Sequence, residues 1–201
     1  MDEQRTDEWY TARLGKVTAS AVYQVMAKGG GVTRNNYMIK LLCERLTGQR
    51  EESYQNAAMQ RGTELEAVAR SAYEVDKGVM TKQVGFSLHP EIAGFGASPD
   101  GLVGEDGLVE IKCLNTSAHV DFLRDGKVDG KYKLQMQAQM ACTGRKWCDY
   151  VLYDDRLPEG LQYKCVRVEI DPAAQIEMLA EVTKFLQELG DLESSLIALS
   201  A

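Results

Sequence analysis

The stretch GFGASPDGLVGEDGLVEIKC, residues 94 to 113, constrains the fold more than any other part of the chain. Its five glycines break it into apolar runs too short for helices, so the backbone must turn repeatedly between brief extended segments. The last segment, residues 108 to 113, reads as a strand with Leu108, Glu110 and Lys112 on one face and Val109, Ile111 and Cys113 on the other. Pairing of this strand with residues 94 to 97 would close a glycine-rich hairpin and bring Asp100 opposite Glu110 and Lys112. Folding alone requires none of these three charges.

Other segments fill in the frame. Residues 18 to 27 read as a helix capped by Thr18 or Ser20, residues 37 to 46 as a second that stops at Thr47-Gly48, and residues 63 to 75 as a third. Residues 79 to 88, 92 to 97, 148 to 153 and 163 to 170 read as further strands. Asp171-Pro172 opens a long amphipathic helix running to about residue 189. YKLQMQAQMAC, residues 132 to 142, alternates apolar residues with Gln135, Gln137 and Gln139, which is a strand period. Met, Gln, Ala and Leu are nevertheless strong helix formers, and no β-branched residue occurs there, so a helix is expected, with Gln135 and Gln139 on one face and Gln137 roughly opposite. The expected class is mixed α/β or α+β with a helical N-terminal third. A chain of 201 residues with 44% hydrophobic content supports a single domain: residues 1–60 helical and basic, 61–170 the core, 171–201 a helical tail.

The net charge of −7 hides its distribution. Residues 10 to 50 carry seven bases against Glu44 alone, which suits a nucleic-acid surface, although a solvated helix face would look the same. From Asp171 onward there are six acids and one base, Lys184. The five cysteines follow no metal-binding or disulfide spacing and fit reduced thiols. The start, MDEQRTDEWY, lacks the basic-then-apolar pattern of an export signal, and no apolar run is long enough for a membrane span, so a cytoplasmic protein is expected.

Two carboxylates brought together repel each other unless a cation lies between them, and oxygen ligands favour a hard divalent ion. A lysine beside such an ion finds its ammonium form disfavoured and is suited to orient or deprotonate a water. Asp100, Glu110 and Lys112 thus suit metal-assisted hydrolysis of a phosphodiester. Each also has a plainer reading. Asp100 in Ser-Pro-Asp-Gly is a turn former, and Glu110 with Lys112 is an ion pair on an edge strand. Glu66 is either a third acid of the site or the end of a Thr63–Glu66 capping box.

Taken in order, the motifs resemble the phage lambda exonuclease group, the YqaJ-type viral recombinases of the PD-(D/E)xK nuclease superfamily. The matching residues run from Trp9 to Ser20 (W-x-x-x-R-L-G-x-x-T-A-S), Gly62 to Arg70, Ser98 to Leu102 (S-P-D-G-L), Glu110 to Cys113 (E-x-K-C), Gln135 to Gln137 (Q-x-Q) and Tyr153 to Arg156 (Y-D-x-R). The resemblance implies a three-layered core with a central mixed sheet flanked by helices. It also implies Mg2+-dependent 5′-to-3′ digestion of one strand of linear double-stranded DNA to mononucleotides, with two ions per site and Mn2+ as a substitute. A homotrimeric ring is implied, as is a single-strand annealing protein that receives the 3′ overhang in phage recombination in a bacterial host. By matched position Asp100, Glu110 and the Ile111 carbonyl would hold metal, Glu66 would support a second ion, and Lys112 would position the attacking water. Arg13, Ser20, Ser98 and Gln137 match a 5′-phosphate grip, a chemistry their guanidinium, hydroxyls and amide suit. Without the resemblance Ser20 reads as a helix cap and Gln137 as a solvated helix face. Met59 matches a residue that wedges between the strands, although core packing is its plainer reading. The chain departs from the pattern at Leu114, Asn115 and Ala118, the last replacing a DNA-contacting arginine, with His119, Arg124 and Lys127 as substitutes nearby. An endonuclease on the same core and a catalytically silent DNA-end-binding module are the alternative readings.

Overall fold

A computed structural model of the chain describes residues 4–27, 31–50 and 57–199. The N-terminal third holds α1 (Asp7–Arg13), β1 (Val17–Thr18), a 3-10 turn (Ala19–Ala21), α2 (Val22–Val25) and α3 (Val32–Thr47). Then come α4 (Ala57–Lys77), β2 (Thr81–Lys82), β3 (Ser87–Leu88), β4 (Phe95–Ala97), β5 (Gly101–Val103) and β6 (Gly107–Lys112). The remainder is α5 (Thr116–Asp125), α6 (Gly130–Thr143), β7 (Trp147–Tyr153), α7 (Glu159–Gln162), β8 (Tyr163–Glu169) and α8 (Pro172–Ala198). Among the described residues no helix is long and apolar enough to cross a membrane.

Five strands form a mixed sheet in the order β2-β5-β6-β7-β8, in which only β6 and β7 are parallel neighbours. Helix α4 covers one face, where Ala69 and Tyr73 meet Val109, Ile111 and Val151. Helices α5 and α6 cover the other, where Phe122, Met136 and Met140 meet Leu108, Cys148 and Leu152. This is the expected three-layered mixed α/β arrangement. A further core joins the N-terminal helices, β4, α6 and α8 around Val22, Leu41, Phe95 and Phe185. Full burial of a side chain the size of Phe185 contributes about 1.5–3 kcal/mol relative to exposure.

Strand β6 alternates as its sequence requires: Leu108 joins the α6-side core while Val109 and Ile111 join the α4 side. It lies between β5 and β7, so the edge-strand reading of Glu110 and Lys112 fails. The hairpin differs from expectation as well. Residues 95–97 pair with β1 and β3 in a separate three-stranded sheet, and the partner of β6 is β5, with Gly101 opposite Val109. The turn is carried by Gly104, whose φ of 53 suits glycine.

Other expectations need correction for local reasons. The helix expected over 18–27 is reduced to the 3-10 turn and α2, because Thr18 is held in β1 opposite Gly96. Thr18 makes no side-chain cap bond, and its hydroxyl lies 3.3 Å from that of Ser20. The strand expected over 79–88 is two short pieces in different sheets. Helix α4 begins at Ala57, so Thr63 and Glu66 stand inside it and the capping-box reading of Glu66 is excluded. Residues 132–142 are helical, and α6 is shared by two cores, which is why Gln135 through Met140 are all buried.

The charge asymmetry is partly internal. Arg34 of α3 pairs with Glu188 of α8 at 2.7 Å, and Arg45 with Glu193 at 3.0 Å. The cysteines are all free thiols.

Candidate active site

Glu110 sits on the central strand with 1% of its surface exposed. An isolated carboxylate there would be expensive, and three donors offset that cost. Lys112 Nζ and Gln135 Nε2 both lie 2.5 Å from Oε1, and Gln139 Nε2 donates to Oε2 at 2.6 Å. Gln135 and Gln139 reach it together because they are one helical turn apart on α6.

Asp100 stands just before β5. Its Oδ2 accepts the Ile111 amide at 2.7 Å, beyond the last paired residues of the β5–β6 ladder, so a side chain takes over where strand pairing ends. Burial raises its pKa well above the usual carboxylate range, and the neighbouring Glu110 charge raises it further. Lys112 and the Ile111 amide pull the other way without reversing the shift. Burial by itself would depress Lys112, yet Glu110 and Asp100 hold its ammonium above the ordinary lysine value. The lysine is therefore charged in this structure, opposite to the sequence expectation, which assumes a cation beside it.

Glu66 projects from α4 toward the same region, and its charge also raises Asp100. Its Oε1 accepts from Arg70 Nη2 at 3.1 Å, and its Oε2 from Arg5 Nη2 at 2.6 Å. Arg70 also donates to the Asp100 carbonyl, tying helix to strand. Gly101 permits that approach: a Cβ there would lie 3.1 Å from the Arg70 guanidinium, Thr81 and Val109 alike.

These groups suit a hard divalent cation through their chemistry. The donors are all oxygens, and a positive charge between Asp100 and Glu110 would relieve the repulsion that raises Asp100. Ile111, whose carbonyl the resemblance offers, directly follows Glu110 in the chain and gives its amide to Asp100. A finished three-acid cage is not present: among the described residues no three His, Cys, Asp or Glu side chains are gathered to hold a metal. The physical reason is that Glu66 is turned to its two arginines and Glu110 is fully engaged by Lys112 and the glutamines.

A basic cavity of about 310 Å3 lies on the N-terminal side, lined by Arg5, Arg13, Lys16, Ser20, Lys40 and Arg50 among others. The Arg13 guanidinium stacks 4.1 Å from the Trp9 ring centroid, and burial lowers its pKa to about 10, which leaves it charged at neutral pH. Ser98 Oγ accepts from Trp9 Nε1 at 2.9 Å and Arg13 Nη1 at 3.1 Å, so its own hydrogen remains to donate. Because Ser98 precedes Asp100 by two residues, one short loop links the basic cavity to the acid pair.

Arg13, Ser20 and Ser98 are thus brought together. Gln137 is not. Its Nε2 donates to the Glu169 carbonyl and its Oε1 accepts the Asp171 amide, both at 2.9 Å, fastening α6 to the β8–α8 junction. At 5% exposure it is no solvated helix face either. His119 is fully buried with Nε2 at the Leu161 carbonyl, so it cannot stand in for the arginine replaced at Ala118. Arg124 pairs with Asp121 on the surface. Met59 lies on α4, and its side chain falls outside the described residues. Sequence reasoning missed Arg5 and gave no role to Arg70, Gln135 or Gln139. Arg70 and Gln135 fall within matched motifs, and the i, i+4 spacing of the two glutamines placed them on one face.

Comparisons with known proteins bear on this arrangement. Residues 8–146 match the model of the YqaJ-like viral recombinase domain. The chain is 55% identical to the solved structure of LHK-Exo in complex with dAMP, with a TM-score of 0.94, covering 97% of this chain and 98% of that one. It is 54% identical, with a TM-score of 0.93 and the same coverage, to an alkaline exonuclease (LHK-Exo) from Laribacter hongkongensis. A phage-related exonuclease from Haemophilus somnus 129PT is 17% identical with a TM-score of 0.63 over 92% of this chain and 96% of that one, a likeness of fold. Comparison with curated proteins gives no match.

Proposed function

This chain belongs to the YqaJ-like viral recombinase family, and on that premise we propose that it is a metal-dependent exonuclease acting on linear double-stranded DNA. The digestion we propose runs 5′ to 3′ along one strand, releases mononucleotides and leaves a 3′ overhang for strand annealing. The dAMP bound by the 55% identical neighbour is a mononucleotide of the kind such digestion would release.

One observation carries this reading: a carboxylate 1% exposed on a central strand, held by two glutamines and a lysine, beside a second, partly buried carboxyl. A hydrophobic residue at position 110 would pack more cheaply, so a carboxylate there points to chemistry. Asp100, Glu110 and the Ile111 carbonyl would hold Mg2+, and Glu66 would support a second ion. When bound, the ions supply charge neutralisation at the scissile phosphate and activation of water. Lys112 Nζ, once released from Glu110, hydrogen-bonds the attacking water and orients it. Arg13, Ser20 and Ser98 bind the terminal 5′-phosphate, which sets the register of the end against the acids. The ring-shaped homotrimer and the annealing partner belong to the same proposal.

The test compares wild type with Lys112→Ala on 5′-phosphorylated linear duplex, with Mg2+ and with EDTA. The variant should bind ends and release no nucleotides, and undiminished digestion would remove Lys112 from its role. Degradation of covalently closed circles at the same rate as linear DNA would make the enzyme an endonuclease.

A further inference from the structure

Arg5 lies outside the segment that matches the family model, yet it joins the two halves of the site. It lines the basic cavity, and its Nη2 is 2.6 Å from Glu66 Oε2. Its φ of 68 places it in the left-handed region, which side chains disfavour, and no other non-glycine residue among those described has a positive φ. Both flanks hold it there. Gln4 Nε2 donates to the Val84 carbonyl at 2.9 Å and the Pro99 carbonyl at 2.8 Å, and Thr6 caps α1 by accepting the Trp9 amide at 3.2 Å. Backbone strain maintained by its surroundings clusters at functional sites, and here it aims a guanidinium at an acid of the candidate site.

We propose that Arg5 is a transferable counter-ion: it neutralises Glu66 in the DNA-free enzyme and passes to a phosphate of the arriving DNA end, opening Glu66 Oε2 to a divalent cation. The proposal rests on the nuclease reading above. A guanidinium has donors beyond the one spent on Glu66, and a phosphate entering the cavity that Arg5 lines meets them. Arg70 keeps Glu66 Oε1 at 3.1 Å, so the acid stays oriented when Arg5 leaves. A cation at Oε2 repels the arginine, and an arginine at Oε2 weakens the cation. Cation and DNA therefore favour each other's binding, by equal factors in each direction.

Two measurements without turnover test this: titration calorimetry of Mn2+ into DNA-free protein, and fluorescence anisotropy of a 5′-phosphorylated duplex end in EDTA at several salt concentrations. They are made on wild type, Arg5→Ala and Arg5→Gly, the last because glycine accepts the φ of 68 and keeps the segment folded. Removing the competing guanidinium should raise Mn2+ affinity about two- to fivefold, the range of a partly exposed ion pair. End binding should weaken about three- to tenfold, and the salt slope of log K should shrink by about one phosphate contact. The opposite signs are the signature, since a merely structural Arg5 would loosen Glu66 and lower both affinities. Unchanged or weaker Mn2+ binding, or an unchanged salt slope, overturns the proposal. Wild type that binds neither Mn2+ nor ends would defeat the nuclease reading itself, whereas normal wild-type binding shared by both variants would defeat Arg5 alone.

Discussion

Gln139→Met separates the cost of folding from the cost to chemistry. Gln139 is fully buried, its Nε2 bonds Glu110 Oε2 at 2.6 Å, and its Oε1 has no hydrogen-bond partner among the described residues. Methionine fills nearly the same volume and removes both the useful donor and the orphaned acceptor. Losing a hydrogen bond to a charged group costs about 1.5–3 kcal/mol, while removing an unsatisfied buried carbonyl oxygen recovers about 1–3 kcal/mol. The net effect should fall between about 1.5 kcal/mol of stabilisation and about 2 kcal/mol of destabilisation. Glu110 keeps donors only at Oε1, so its orientation loosens. Removing an outer partner of this kind typically lowers metal affinity or activity by about 10- to 100-fold. Urea unfolding gives the first quantity, and single-turnover digestion of 5′-phosphorylated duplex at saturating Mg2+ gives the second. Single-turnover rates within twofold of wild type, or a stability loss above about 3 kcal/mol, would refute the reasoning.

Three further outcomes follow from the geometry. Arg13→Ala should erode the preference for a 5′-phosphoryl over a 5′-hydroxyl end in competition digestion, and an unchanged ratio would take Arg13 out of the phosphate grip. Asp154→Asn should cost about 3 kcal/mol near neutral pH, because Asp154 is fully buried among bonds from Arg61, Arg156 and Thr116. Burial favours the protonated Asp154, but the bonds from Arg156 and Thr116 override it and hold its pKa well below the usual range. Its stabilisation is thus present above about pH 4 and lost as pH falls, so the unfolding gap between variant and wild type should close in acid. Asp100 has the opposite sign. Its raised pKa means that the metal-free fold keeps that contribution below about pH 4 and loses it as pH climbs through the raised value. Mg2+ should bind more tightly with rising pH and release protons, which calorimetry in buffers of different ionisation enthalpy would detect.

The face alternation of β6, the helical nature of residues 132–142 and the Asp171-Pro172 helix start were legible because each depends on local periodicity or backbone chemistry. What failed depended on distant partners. Residues 95–97 were expected to pair with β6, but three short residues carry no record of which edge they join, and β1 and β3 claimed them. Thr63 to Glu66 has capping-box spacing, a signal that cannot tell the start of a helix from its interior. Gln135 and Gln139 could be placed on one helix face but given no role, because sequence does not reveal that Glu110 waits across the layer. Gln137 matched a family motif, yet α6 turns it toward the start of α8. Arg5 carried no signal at all, since its position depends on the carbonyls of Val84 and Pro99 far along the chain.

The parallel neighbours β6 and β7 cannot be joined by a tight turn, so α5 and α6 must be threaded between them before the sheet closes. Glu110 therefore emerges in synthesis well before the glutamines that make its burial tolerable. Such non-local closure is slower than local helix formation, and a chain that ends before α6 holds the acid without its partners. On the nuclease reading proposed above, the site is therefore incomplete until the second layer docks.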